Sequence, residues 1–247
     1  MESRELPFVR EMFDNIAPRY DLLNRLLSLR QDVVWRKKLV STMVIPENGR
    51  VLDVACGTGD LSMEICRQKG PLVKVIGIDF SPGMLRLAQE KIRRSQYTTV
   101  SLLTGDALAL PFGEASFHAV TIAFGIRNIQ DKASALRAFC DSLIPGGMVL
   151  VLELATPKKS RLRDAYLAYF QKVLPTIGRL FSKHSFAYSY LPDSVSRFPE
   201  SDAFMATMEK AGFSRVTCRR LTLGIANLYM GVKPRSNKAA PKSDFKD

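Results

Sequence analysis

Between residues 45 and 157, short apolar runs alternate with longer segments in which apolar positions recur every three or four residues. The runs predict strands near 50–55, 74–80, 100–105, 117–124 and 148–154, and the helical spacing predicts helices near 61–68, 83–95 and 131–143. Such alternation implies a mostly parallel sheet with helices on both faces. Pro145-Gly146-Gly147 is expected to end the last of these helices in a turn. Ahead of the sheet, residues 8–43 carry apolar positions at helical spacing. Two or three helices are expected there, with Pro18 breaking the pattern and Leu22, Leu23, Leu26, Leu27 and Leu29 clustering on one face.

After Pro157 the pattern changes. Residues 162–174 read as a helix rich in aromatics (Tyr166, Tyr169, Phe170), and 178–199 read as a loop, a combination that suits a lid or a substrate wall. A helix over 201–211 closed by Gly212 and two strand-like runs, 215–222 and 225–232, would extend the sheet edge to seven strands. The tail from Pro234, rich in Lys, Ser, Pro and Ala, is expected to be disordered. No internal repeat interrupts this order.

The most specific local chemistry is RVLDVACGTGD at 50–60, followed by VIGIDFS at 75–81. An apolar strand runs into a Gly-rich turn that opens a helix, and a second strand ends in an acid, the arrangement with which α/β domains hold an adenosine-containing cofactor. Gly57 and Gly59 would let the backbone approach a ligand closely, and Asp79 would accept hydrogen bonds from two ribose hydroxyls. A dinucleotide fingerprint needs a third glycine, but Ser62 stands there, and Asp53 and Asp60 add carboxylates that would repel a pyrophosphate. They suit a cationic, amino-acid-bearing ligand, and S-adenosylmethionine is such a ligand. A third strand ends at Asp106, placed to contact the adenine amino group, with the small Ala107 leaving room for the ring. The plain alternatives are a tight turn at the glycines and a solvated turn residue at Asp106. The expected fold is therefore α/β: a Rossmann-like, doubly wound, seven-stranded, mostly parallel sheet with an N-terminal helical extension and a lid segment before the last strands. The corresponding division is a helical cap over 1–45, the cofactor-binding core over 46–156, the lid over 157–200, the last helix and edge strands of the same domain over 201–233, and the tail over 234–247.

The formal net charge of +12 and pI near 9.7 favour contact with something anionic, whether nucleic acid or a membrane surface. Four cysteines without a C-x-x-C pair, and only two histidines, imply neither a zinc site nor a disulfide scaffold, and fit a reducing cytoplasm. No apolar run of signal-peptide or membrane-spanning type is seen, so no spanning segment is expected.

With these residues in hand, the chain resembles a class I S-adenosylmethionine-dependent methyltransferase, and more specifically the ubiquinone and menaquinone biosynthesis C-methyltransferases. The segments that carry the resemblance are FDNIAPRYDLLN from Phe13, WRKK from Trp35, VLDVACGTGD, ALPF from Ala109, AFGIRN from Ala123, LIPGGMVLVLE from Leu143, YSYLPDSVSRFP from Tyr188 and AGFSRVTCRRLTLGIANLYMG from Ala211. The resemblance implies that Thr58, Asp79, Asp106 with Ala107, and Ala123 contact the cofactor. It gives demethylmenaquinol with its polyprenyl tail as the acceptor, followed by a benzoquinol precursor of ubiquinone. Ala123 stands where many relatives have Ser, so only its backbone can serve there. The segment SLRQDVVW lacks the Gly and His that relatives often carry before the tryptophan.

Arg127 and Asn128, just beyond the fourth strand, are the candidate catalytic pair: Arg127 to stabilise a developing phenolate and Asn128 to hold the ring hydroxyl. The alternative for Arg127 is a buried guanidinium satisfying loop carbonyls. Tyr20, Tyr188 and Tyr190 are further candidates for a base, which stays unassigned. Peripheral contact with anionic lipid and a homodimer are compatible with these features. A nucleic-acid methyltransferase is disfavoured by AFGIRN in place of an Asp/Asn-Pro-Pro-aromatic motif and by the lack of an RNA-binding signature. A non-catalytic cofactor-binding scaffold is disfavoured by intact Gly57, Gly59 and Asp79.

Overall fold

The computed structural model describes residues 5–95, 97–157 and 186–235. Seven strands form one sheet: β1 (Arg50–Val54), β2 (Lys74–Asp79), β3 (Val100–Thr104), β4 (Phe117–Ala123), β5 (Leu143–Leu154), β6 (Ser214–Leu221) and β7 (Ala226–Val232). Their order is β3-β2-β1-β4-β5-β7-β6, with all neighbours parallel except β7, which runs antiparallel to both β5 and β6. The order reverses between β1 and β4, so the carboxyl ends of these strands open a crevice.

Period-two alternation sorts the strand residues onto two faces. Val51, Ala119, Leu150 and Leu152 join a core beneath helices α2 (Gln31–Thr42) and α3 (Asp60–Lys69), built around Trp35, Leu39, Leu61 and Ile65. Leu52, Val54, Val120, Ile122, Val149 and Val151 join the opposite core with Leu136 and Phe139 of α5 (Lys132–Ser142). Phe204 and Met208 of the last described helix, which spans Ser201–Lys210, complete that core. Strands buried on both faces need apolar side chains in both directions, which is why the sequence pattern is a continuous apolar run.

The remaining helices are α1 (Glu5–Leu27), which packs on α4 (Pro82–Ser95), and α6 (Phe186–Ser196), which leaves the Ser201–Lys210 helix as α7. Three expectations are corrected here. Pro18 does not break the chain: α1 runs through it. The proline removes one intrahelical bond at Asp14, but carboxylates on both sides of it, Asp14 and Asp21, anchor the helix to the body. Pro145-Gly146-Gly147 does not separate α5 from its strand, because Leu143 already pairs with Phe117 and the three residues form an irregularity inside β5. Residues 186–196, expected as loop, are helix α6 with Pro192 inside it. The leucines near the end of α1 also split: Leu23 is buried, whereas Leu22, Leu26 and Leu29 are exposed. The expected helix over 162–174 and the tail from residue 236 lie outside the described residues.

Candidate functional site

A cavity of about 700 Å³ lies at the carboxyl ends of β1, β2 and β4, where the strand order reverses. Its wall includes Gly57, Asp79, Asp106, Ala107, Ala123 and Asn128. Helix α1 closes it from outside with Val9, Phe13, Asp14 and Tyr20. Phe13 stacks edge-on against both Tyr20 and Phe80, which makes the closing wall aromatic.

The two glycines do different work. Gly57 stands at φ +56° with nothing within 4 Å of where a β-carbon would be, so its backbone faces open cavity. Gly59, at φ +80°, would put a β-carbon 3.2 Å from Cβ of Ala88, so it is the glycine that lets α3 and α4 approach. Asp79 is fixed at both oxygens: Gly57 N–H donates to Oδ2 at 2.8 Å and Ser81 N–H to Oδ1 at 2.9 Å. Burial raises its pKa against the pull of these N–H groups, and neighbouring Asp14 raises it further. Asp14 Oδ1 accepts from Ser81 Oγ and from Gly83 N–H at the start of α4. Asp106 folds onto its own turn, with Leu108 N–H donating to Oδ1 at 2.9 Å.

A smaller cavity of about 30 Å³ adjoins the first, lined by Arg36, Asp53, Thr58 and Asp60, and it shares Tyr20, Gly57 and Ala123 with the larger one. Thr58 is turned toward α1: its Oγ1 donates to Asp21 at 2.6 Å and accepts from Lys91 Nζ at 3.1 Å. Lys91 also pairs with Asp21 and Asp60. Burial would raise the pKa of Asp60, but Lys91 and Arg36 outweigh it and hold this carboxyl below its ordinary value. Asp53, fully buried, receives Ser62 Oγ at 2.6 Å and Thr121 Oγ1 at 2.9 Å. Burial dominates these bonds and pushes its pKa up to about 6. Arg36 pairs with Asp32 at 2.6 Å and lies over the Phe124 ring, 5.3 Å from its centre.

Arg127 is not among the cavity wall residues. Its guanidinium donates to Glu153 Oε1 at 2.8 Å, to the Phe124 carbonyl and to Ser194 Oγ, and its own backbone N–H donates to Glu153 Oε2. Asn128, its neighbour, does line the cavity and accepts at Oδ1 from Tyr190 of α6 at 3.1 Å. Tyr20 is buried, which raises its pKa, while Arg127, Asn24 and Arg36 pull it down. Arg127 thus makes no contact with the cavity, and its charge is matched by Glu153. The side chain of Tyr188 lies outside the described residues.

Several participants were missed in the sequence. Glu153 carried a signal, an acid inside the apolar run MVLVLEL, since a buried carboxylate needs a partner. Asp14 and Asp21 stand seven residues apart on α1, two turns along one face, but nothing local names their partners. Among the described residues no three His, Cys, Asp or Glu side chains are gathered as metal ligands, and no helix is long and apolar enough to cross a membrane.

Comparison with known proteins follows the same outline. Residues 1–233 match the model of the ubiE/COQ5 methyltransferase family. The chain is 47% identical over 226 residues to the ubiquinone/menaquinone biosynthesis C-methyltransferase UbiE of Geotalea daltonii, covering 91% of this chain and 96% of that one. It is 46% identical over 223 residues to the demethylmenaquinone methyltransferase of Thermus thermophilus, covering 90% and 100%. Among solved structures, the [4+2]-cyclase SpnF superposes with a TM-score of 0.69 at 15% identity over 92% of this chain and 96% of that one. An S-adenosylmethionine-dependent methyltransferase from Thermotoga maritima gives 0.63 at 19% identity over 91% and 99%. At these identities the two structures speak for the fold alone.

Proposed function

The chain belongs to the ubiE/COQ5 methyltransferase family, and from that premise we propose that it methylates a ring carbon of demethylmenaquinol to give menaquinol, using S-adenosylmethionine. The observation that carries the reading is the gathering of Gly57, Asp79, Asp106, Ala107, Ala123 and Asn128 around one cavity at the switch point of the sheet. The residues fit the donor. The space beside Gly57 is open to a ligand, Asp79 presents a fixed carboxylate to a ribose, and Asp106 with Ala107 borders the adenine end. Arg36 stands at the smaller cavity, where an amino-acid carboxylate would need a cation, and Asp53 and Asp60 stand there for the ammonium.

Bound there, S-adenosylmethionine supplies an electrophilic sulfonium methyl. The protein's part is to hold the acceptor in line at about 3 Å, to exclude water and to manage a proton. Loss of a phenolic proton to solvent or to the unassigned base would make the adjacent ring carbon nucleophilic toward the methyl that S-adenosylmethionine would supply, and loss of the ring proton to solvent would restore the aromatic ring. Asn128, held by Tyr190, orients the ring hydroxyl, and Arg127 stabilises the developing phenolate through its charge. Val9, Phe13 and Tyr20 of α1 and Phe80 shield that end from water. The apolar lining suits a lipophilic acceptor.

The test is transfer of a labelled methyl group to chemically reduced demethylmenaquinone, with the oxidised quinone, a reduced benzoquinol precursor and bulk RNA beside it. Label in reduced demethylmenaquinone above the other three supports the reading, and label in RNA alone overturns the acceptor. For Arg127, simple removal strands the Glu153 carboxylate in the core. The informative variant is therefore R127M/E153L, which removes both charges. A folded double variant that binds S-adenosylmethionine but does not turn over supports the role in chemistry, and one that retains turnover removes it.

A further inference from the structure

We propose that the face made by the α1–α2 turn and the β6–β7 turn docks on an anionic lipid bilayer, with Leu29 and Leu223 as the side chains that enter it. Helix α1 leaves Leu22 and Leu26 exposed at 61% and 42%, and Leu29, two residues beyond its end, is exposed at 80%. Leu22 and Leu26, four residues apart, share one face of α1, and Leu29 stands in the turn that follows it. Leu223, at the tip of the other turn, is 77% exposed. Two hydrogen bonds hold the turns at one end of the molecule: Trp35 Nε1–H donates to Thr222 Oγ1 at 2.8 Å, and Thr222 Oγ1 donates to Gln31 Oε1 at 3.1 Å.

The backbone adds a second observation. Leu29 and Leu223 both stand at positive φ, 51° and 59°, in the left-handed region that a leucine rarely adopts. A leucine there gains nothing from local geometry, and in water it gains nothing from burial. Transfer into lipid accounts for the residue type at both tips. Single exposed leucines are ordinary, but two leucines projecting from turns joined at one end of the molecule make a patch.

Charge selects the partner. Around the tips Arg30, Arg219 and Arg220 are exposed. The only carboxylate within residues 22–38 or 214–225 is Asp32, and it is buried against Arg36. Projecting aliphatic side chains on two turns that carry exposed arginines complement an anionic headgroup layer. The face also lies at the cavity end of the sheet. The ring of Trp35 packs on Phe124, 6.0 Å between centroids, and Phe124 lines the cavity. Docking would thus bring the site to the phase in which a polyprenylated acceptor dissolves, and in that respect the inference rests on the proposed substrate.

The experiment is co-sedimentation of the full chain with vesicles of phosphatidylcholine alone and of phosphatidylcholine mixed with phosphatidylglycerol. Methyl transfer to a short-chain, water-soluble demethylmenaquinol analogue is measured in parallel. The expected result is preferential binding to the anionic vesicles, weakened on the order of tenfold in L29Q/L223Q. A second variant, R219Q/R220Q, is expected to lose the preference for anionic over neutral vesicles. Both variants should keep the thermal midpoint and the turnover on the soluble analogue. Equal binding of the unaltered chain to both vesicle types overturns the inference, as does undiminished binding by L29Q/L223Q. If a second copy of the chain covers this face instead, L29Q/L223Q will change the oligomeric mass and leave vesicle binding as it was, which also overturns it. Failure of the unaltered chain to methylate the soluble analogue counts against the substrate reading and leaves the vesicle result standing.

Discussion

Asp53 and Asp79 show how one residue type is tuned twice at a single site. Both are buried, yet Asp53 meets two hydroxyl donors and rises to about 6, while Asp79 is fixed by two backbone N–H groups at the edge of the cavity. A carboxyl whose folded pKa lies above its ordinary 3.8 takes up its proton at higher pH in the folded than in the unfolded chain. Its contribution to stability is therefore complete below about pH 4 and is lost as pH rises through 6. We expect the thermal midpoint of D53N, relative to the unaltered protein, to improve as pH rises from about 4 and to level off above about 6; a difference that stays flat with pH would show that this carboxyl is not raised. The Arg127–Glu153 pair, with side chains 7% and 0% exposed, belongs to the same scale. E153Q leaves the guanidinium without its counter-charge and should cost about 3–5 kcal/mol in denaturant unfolding, whereas R127M/E153L should recover much of that loss. Gly57 and Asp79 were legible as cavity residues, because a turn at positive φ favours glycine and the end of a strand at the switch point is where an acid can face a ligand. Thr58 and Arg127 were less so: their type and position point at the site, but their side-chain partners, Asp21 and Glu153, are set by elements distant in sequence.

At the scale of elements, α1 matters most, because it forms the outer wall of the cavity while being held by a few polar latches. Asp14 caps the start of α4, and Asp21 bridges Thr58 and Lys91. D21A removes a partly buried charged partner, while Lys91 keeps Asp60. We expect it to weaken α1 docking by about 1–3 kcal/mol, to speed limited proteolysis within residues 5–27 and to lower affinity for S-adenosylmethionine, with a much smaller change in the global thermal midpoint. Unchanged proteolysis would mean that apolar packing alone holds the helix. The same latches explain why Pro18 was misread. Local rules put a break at a proline, but a long helix tolerates one lost bond when both flanks are fixed to the body. Helix α6 was misread as loop for a related reason, since Pro192 and the surrounding aromatics and serines give a weak local helical signal.

For the whole molecule, cofactor binding and stability are linked, because the cavity exists only when α1, β1, β2 and β4 are assembled. S-adenosylmethionine at one hundred times its Kd should stabilise the folded state by about 2.7 kcal/mol, which is about 5–10 °C in the thermal midpoint for a chain of this size. D79A should abolish most of that shift, and a shift of the same size in D79A would place the ligand elsewhere.

The sequence by itself determined the alternation of strands and helices, the approximate extent of most elements, the glycine turn, the acids at the ends of β2 and β3, and the family. Each of these is written in near neighbours: a hydrophobic period, a turn that requires glycine, or a run of residues whose order is itself the signal. Only the tertiary structure decided that α1 closes the cavity, that Gly59 faces Ala88 while Gly57 faces open space, that Arg127 spends its hydrogen bonds on Glu153, and that Leu29 and Leu223 project at the same end. Those facts depend on which strands become neighbours in the order β3-β2-β1-β4-β5-β7-β6 and on which helix covers which face. A side chain's partner across a sheet is fixed by that assembly, and no local period encodes it.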